Sequence, residues 1–141
     1  MIRRAYLDTC IVIYLIEDAG RLSERTREFL ARSSDTLLCV SPLVRLEAII
    51  KPLRESNTKL VADDEDFLAA QRWLGSDGRI FDRACQLRAG YGLKTPDALH
   101  LATVLHYGCD EFWTRSIEAR RRRDGGRCTG RLSGGHTALD V

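Results

Sequence analysis

The stretch Thr36-Leu37-Leu38-Cys39-Val40-Ser41-Pro42-Leu43-Val44-Arg45-Leu46-Glu47-Ala48-Ile49-Ile50 carries the strongest fold signal in the chain. Its first five residues form an apolar run bounded by polar groups, the pattern of a strand covered on both faces. Ser41 can cap a helix through its hydroxyl, and Pro42 suits the first helical position, where a missing N–H costs nothing. From Leu43 to Ile50 the side chains are apolar on most sides, so the helix should pack deeply. A doubly covered strand running straight into a buried helix is the unit of a parallel sheet flanked by helices. Glu47 interrupts the apolar surface.

Working outward, Arg4 to Leu7 reads as a buried first strand ending at Asp8, followed by a short helix over Ile11 to Glu17. Leu22, Thr26, Phe29 and Leu30 recur at helical spacing, with Ser23 and Glu24 as a start signal. Beyond Ile50, the acidic residues Asp63 to Asp66 mark a helix start and predict a helix through Trp73, because carboxylates favour the positive end of the helix dipole. A turn follows at Gly75 to Gly78, then a helix from about Arg79 to Ala89. Thr95-Pro96 opens another helix reaching Tyr107, and Glu111 to Thr114 reads as a strand. Strands alternate with helices, so the fold class is α/β, and no internal repeat is visible.

The chain has 141 residues, 44% of them apolar, enough for one compact domain with its own core. The longest aliphatic or aromatic run, Ile11 to Ile16, falls far short of the roughly 20 residues needed to cross a bilayer. An aspartate at position 8 is out of keeping with a signal peptide. Five dispersed cysteines, with no Cys-x-x-Cys pair, argue against a disulfide framework and a zinc site, so a reducing cytoplasm is expected. The net charge of +2 conceals an asymmetry. Residues 1–114 are net −2, whereas 115–141 carry seven arginines against Glu118, Asp124 and Asp140. That basic, glycine-rich tail has few large apolar groups, which predicts partial disorder after about Arg122. The run Arg120 to Arg123 reads as a solvated helix end or a flexible tail ahead of a dedicated nucleic-acid patch.

Three carboxylates stand in settings that need a reason. Asp8 lies at the carboxyl end of the first strand, where open α/β sheets bind ligands. Glu47 lies inside an apolar helix, and Asp97 in the first turn of another. Each has a modest alternative: Asp8 can cap the following helix, Glu47 can pair with Lys51 four residues on, and Asp97 can serve the helix dipole. A cation shared by all three would explain the settings together, since carboxylates brought close repel unless a metal compensates. Magnesium or manganese suits an all-oxygen site that keeps some waters. His100, one turn beyond Asp97 among apolar neighbours, reads as a packing residue.

Tyr6-Leu7-Asp8-Thr9, the segment Ser41 to Glu47, the segment Lys94-Thr95-Pro96-Asp97-Ala98-Leu99-His100-Leu101-Ala102 and the segment Cys109 to Thr114 resemble, in order, the motifs of the PIN domain. In length and motif order the chain is similar to the VapC toxins of bacterial toxin–antitoxin pairs. The resemblance covers about residues 2–115, and the Lys94 to Ala102 segment is its most specific part. It implies a three-layer sandwich with a mainly parallel central sheet, in a catalytic domain over residues 1–116 followed by the atypical tail 117–141. It further implies that Asp8, Glu47 and Asp97 are the catalytic, metal-binding carboxylates for Mg²⁺ or Mn²⁺. The activity implied is endonucleolytic cleavage of RNA, with structured RNA such as tRNA as substrate. A homodimer and a small VapB-like antitoxin are the partners implied. In that chemistry Asp8 and Asp97 hold the ion, while Glu47 binds through water or orients and deprotonates the nucleophile. The hydroxyls of Thr9 and Thr114 either support these carboxylates or merely end their elements.

The chain departs from the family where a fourth acidic residue is usual. Thr114-Arg115-Ser116 stands in place of Thr-Asn-Asp. Asp110 cannot substitute, because it lies at the other end of the last strand. The departure motivates a second reading, a catalytically weak PIN-like module that dimerises and binds antitoxin or RNA. A phosphotransferase with Asp8 as nucleophile would leave Glu47 unexplained.

Overall fold

A computed structural model of the chain describes residues 2–114 and the segments 131–132 and 136–139. The order of elements is β1 (Arg3–Leu7), α1 (Thr9–Ile16), α2 (Arg21–Ala31), β2 (Thr36–Val40), α3 (Pro42–Arg54), α4 (Thr58–Ala69), β3 (Arg72–Trp73), α5 (Gly78–Tyr91), α6 (Thr95–Tyr107), β4 (Glu111–Trp113), β5 (Arg131–Leu132) and β6 (His136–Leu139). The strands form one sheet in the order β3-β2-β1-β4-β6-β5. All pairings are parallel except β5 with β6. The sheet is thus mainly parallel, as its alternation with helices requires.

Local chemistry explains most boundaries. Ser41 caps α3 by accepting from the Val44 N–H, and Pro42 occupies the first turn. Gly92 closes α5 and Gly108 closes α6, both at positive φ, which glycine adopts without steric cost. Ala5, Tyr6 and Leu7 in β1, Leu38 to Val40 in β2 and all of β4 are buried, because helices cover both faces of the sheet. Tyr6 and Phe112 are in register and face His100 of α6, with the Tyr6 and His100 rings 5.6 Å apart. Trp113, next in β4 and so on the opposite face, meets Phe29 of α2 edge-on at 4.7 Å. The three layers follow from these two contacts.

Three local expectations are corrected. Helix α4 begins at Thr58, capped by Asn57, so the acidic cluster lies within the helix and not at its start. It ends at Ala69, and Arg72–Trp73 pairs with Cys39–Val40 as a strand. Helix α3 does not bury all its apolar residues: Val44, Ala48, Ile49 and Pro52 face inward, while Leu46, Ile50 and Leu53 form an exposed stripe. Of the segment expected to be partly disordered after Arg122, residues 131–132 and 136–139 are strands β5 and β6, and the rest lies outside the described residues.

The topology places the site. From β1 the sheet extends through β2 to β3 on one side and through β4 to β6 on the other. Strand order therefore reverses next to β1, and in open α/β sheets ligands bind at such a point, beyond the carboxyl ends of the strands. Asp8 follows β1 directly at that point, and its N–H bonds the Trp113 carbonyl at the end of β4.

Candidate active site

Asp8 is 5% exposed and has extended backbone geometry at the N-cap of α1. Its Oδ1 accepts from the Thr9 N–H at 2.7 Å, and its Oδ2 accepts from the Thr114 hydroxyl at 2.5 Å. The capping alternative and the ligand alternative are therefore compatible. One oxygen serves the helix start, and Thr114, the residue after β4, holds the other. Thr114 is buried, and its hydroxyl does more than end a strand.

Glu47, half-buried on α3, reaches the same place from another element. Its Oε1 accepts from the Thr9 hydroxyl at 2.9 Å and from His100 Nε2 at 2.6 Å. These partners, and not the exposed Lys51, answer the demand that its buried position makes. The hydrogen bond from His100 outweighs desolvation and holds the Glu47 carboxyl below the usual carboxylate range. Glu47 is thus ionised throughout the neutral pH range. Thr9 bridges the two carboxylates, its N–H to Asp8 and its hydroxyl to Glu47. His100 Nε2, 2.6 Å from Glu47, lies 3.6 Å from Asp8 Oδ1.

Asp97 occupies the first turn of α6, one helical turn before His100. Since α6 runs back to the start of β4, its N-terminus lies at the carboxyl end of the sheet, the end that holds Asp8. Among the described residues, no three His, Cys, Asp or Glu side chains are already gathered closely enough to enclose a metal. The donor set nonetheless fits a small hard cation. The carboxylates offer oxygen only, and magnesium keeps several waters, needing one or two protein carboxylates and no full cage. Asp110, as expected, is at the other end of β4, where its carboxylate accepts from the Arg4 N–H at 2.8 Å. Ser116 lies outside the described residues.

His100 is the residue that sequence reasoning missed. It is 1% exposed, yet both ring nitrogens are engaged, Nδ1 with the Tyr6 hydroxyl at 2.7 Å and Nε2 with Glu47. Its apolar flanks signalled burial, and the polar partners come from β1 and α3, far away in sequence.

The PIN domain family matches residues 5–123. No curated protein matches the sequence significantly. Solved structures do resemble it. A toxin–antitoxin complex from Klebsiella pneumoniae has a TM-score of 0.67 and 24% identity, over 81% of this chain and 88% of that one. VapBC2 of Rickettsia felis, bound to a DNA fragment from its promoter, has a TM-score of 0.68 at 13% identity, over 97% and 98%. Mycobacterium tuberculosis VapC20, described as a sarcin–ricin loop cleaving toxin, has a TM-score of 0.69 at 11% identity, over 82% and 94%. The order of strands, the carboxylates gathered at the end of β1 and the family match over most of the chain lead to one conclusion: this protein belongs to the PIN domain family, with a fold like that of the VapC toxins.

Proposed function

We propose that the protein is a divalent-metal-dependent endoribonuclease, the toxin of a toxin–antitoxin pair, with Asp8, Glu47 and Asp97 as its site residues. The observation that carries this reading is the pairing of Asp8 and Glu47 around Thr9 and His100 at the switch point of a PIN fold. A buried carboxylate with both oxygens oriented, faced by a second one kept ionised, is a poor structural filler and a good cation seat. Asp8 and Asp97 would hold Mg²⁺ or Mn²⁺. When bound, the ion supplies Lewis-acid activation of water and offsets charge developing on the phosphate. Asp8 is held rigid by Thr9 and Thr114, so its orientation precedes binding. Glu47, with its lowered proton affinity, suits orienting the nucleophilic water by accepting a hydrogen bond more than it suits storing a proton.

A structured RNA such as tRNA is the proposed substrate, and the sarcin–ricin loop specificity of VapC20 supports an RNA target. A VapB-like antitoxin is the proposed partner, supported by the VapBC and toxin–antitoxin complexes that share the fold. The exposed stripe Leu46, Ile50 and Leu53 supports a homodimer by offering contiguous apolar surface. Among the described residues no helix is long and apolar enough to cross a membrane. A cytoplasmic location completes the proposal. The arginines of 117–130 are proposed to track RNA through phosphate contacts, giving affinity without sequence choice, whereas 131–132 and 136–139 belong to the sheet as β5 and β6.

Purified protein should cleave RNA with Mg²⁺ or Mn²⁺ and stop with a chelator, while Asp8→Asn and Asp97→Asn should be inactive. Full activity in both variants would reject the assignment. Ser116, in place of the usual fourth carboxylate, favours the second reading of a weak or inactive module that binds antitoxin or RNA. Robust turnover by the wild-type chain would exclude that reading.

A further inference from the structure

Beneath the carboxylates runs a chain of hydrogen bonds that the metal chemistry does not use. The Val44 N–H donates to Ser41 Oγ, Ser41 Oγ lies 2.7 Å from the Tyr6 hydroxyl, and that hydroxyl lies 2.7 Å from His100 Nδ1. His100 Nε2 then meets Glu47 Oε1 at 2.6 Å. An ionised carboxylate can only accept, so Nε2 carries the ring proton that it shares with Glu47. With one ring proton, Nδ1 accepts from Tyr6, and Ser41 donates to Tyr6 in turn. Every donor in the series then has an acceptor, and the direction of the whole chain is set by the charge at Glu47.

The series starts at the N-cap of α3 and returns to Glu47 on the same helix, passing through β1 and α6. It fixes the imidazole from behind, through three groups that are themselves buried. Glu47 is the member that reaches solvent, its side chain 30% exposed. Both of its hydrogen bonds fall on Oε1. Among the described residues, Oε2 is thus left to face water or ligand. A leucine at position 100 would fill the space and avoid burying a polar ring, so packing does not explain the histidine.

We infer that His100, braced by Tyr6 and Ser41, is a positioning residue that sets the Glu47 carboxylate opposite Asp8 and so prepares the site for its divalent ion. The inference rests on the proposed metal site and adds to it a residue that touches neither ion nor RNA. Groups of this kind, which orient a ligand from behind, alter metal affinity by roughly 10–100-fold when removed.

The test uses Mn²⁺ binding, read from the electron paramagnetic resonance of the free ion, together with RNA cleavage kinetics and melting of each variant. His100→Leu keeps volume and loses both bonds. His100→Asn places an amide near the Nδ1 position and fails to reach Glu47, whereas His100→Gln places a donor near Nε2. Leu and Asn should weaken Mn²⁺ binding at least about tenfold and lower kcat with little change in KM for RNA, while Gln stays within about threefold of wild type. Wild-type Mn²⁺ affinity in His100→Leu would overturn the inference, as would an equal loss in Gln and Leu. If wild-type protein binds Mn²⁺ but cleaves no RNA, the nuclease reading fails while the affinity series still decides the role of His100. Wild-type protein that binds no Mn²⁺ ends both.

Discussion

Asp64 should make the protein less stable at neutral pH than at mildly acidic pH, and its replacement by asparagine should remove that dependence. It lies on α4 with 3% of its surface exposed. Burial, with Glu17, Asp63 and Glu65 nearby, pushes its carboxyl from 3.8 up to about 6. The folded state therefore holds the proton more tightly than the unfolded chain. Below about pH 3.8 both states are protonated and the residue is neutral to stability; as pH rises to about 6 the unfolded chain ionises first and stability falls. Above about 6 the penalty is complete. At about 1.4 kcal/mol per tenfold change in proton affinity, the ceiling is about 3 kcal/mol. Asp63 faces solvent and Glu65 already pairs with Arg45, so screening reduces this to about 1–2 kcal/mol. Asp64→Asn is close in shape and helix propensity, which isolates the charge. Thermal melts from pH 4 to pH 8 should show the variant equal to wild type near pH 4 and about 3–8 °C higher at pH 7.5. A difference independent of pH, or a variant less stable at pH 7.5, would refute the reasoning.

Other expectations follow from single contacts. Ser41→Ala removes both the α3 cap and a bond to Tyr6, and chemical denaturation should show a loss of about 1–2 kcal/mol. Gly92→Ala places a Cβ at φ 65°, where space is open but the backbone is strained, and should cost about 1 kcal/mol by the same measurement. Thr114→Val keeps the shape of the residue and removes the bond to Asp8 Oδ2, so cleavage should fall by about tenfold with melting changed little.

The fold was legible wherever one element announced its own ends. Ser41-Pro42 marks the β2–α3 boundary because a hydroxyl cap and a missing N–H act locally, and Thr95-Pro96 similarly opens α6. The acidic cluster misplaced the start of α4 because carboxylates favour a helix N-terminus, whereas the cap is Asn57 and the cluster instead contains the buried Asp64. The two residues of β3 have no periodicity to read, and only pairing with Cys39 and Val40 makes them a strand. At the site, residue type and position singled out Asp8 and Glu47, whereas their joint contact with His100 is a tertiary fact. The histidine's partners stand 53 and 94 positions away, so no local pattern records them.

The central claim is that Asp8, Glu47 and Asp97 form the seat of one divalent ion. A crystal grown with Mn²⁺ and measured at the manganese absorption edge tests it most directly. An anomalous peak should stand within about 2.5 Å of an Asp8 carboxylate oxygen, with Asp97 as its neighbour and Glu47 within reach directly or through one water. A peak elsewhere on the molecule, or none in protein that cleaves RNA with manganese present, would contradict the account.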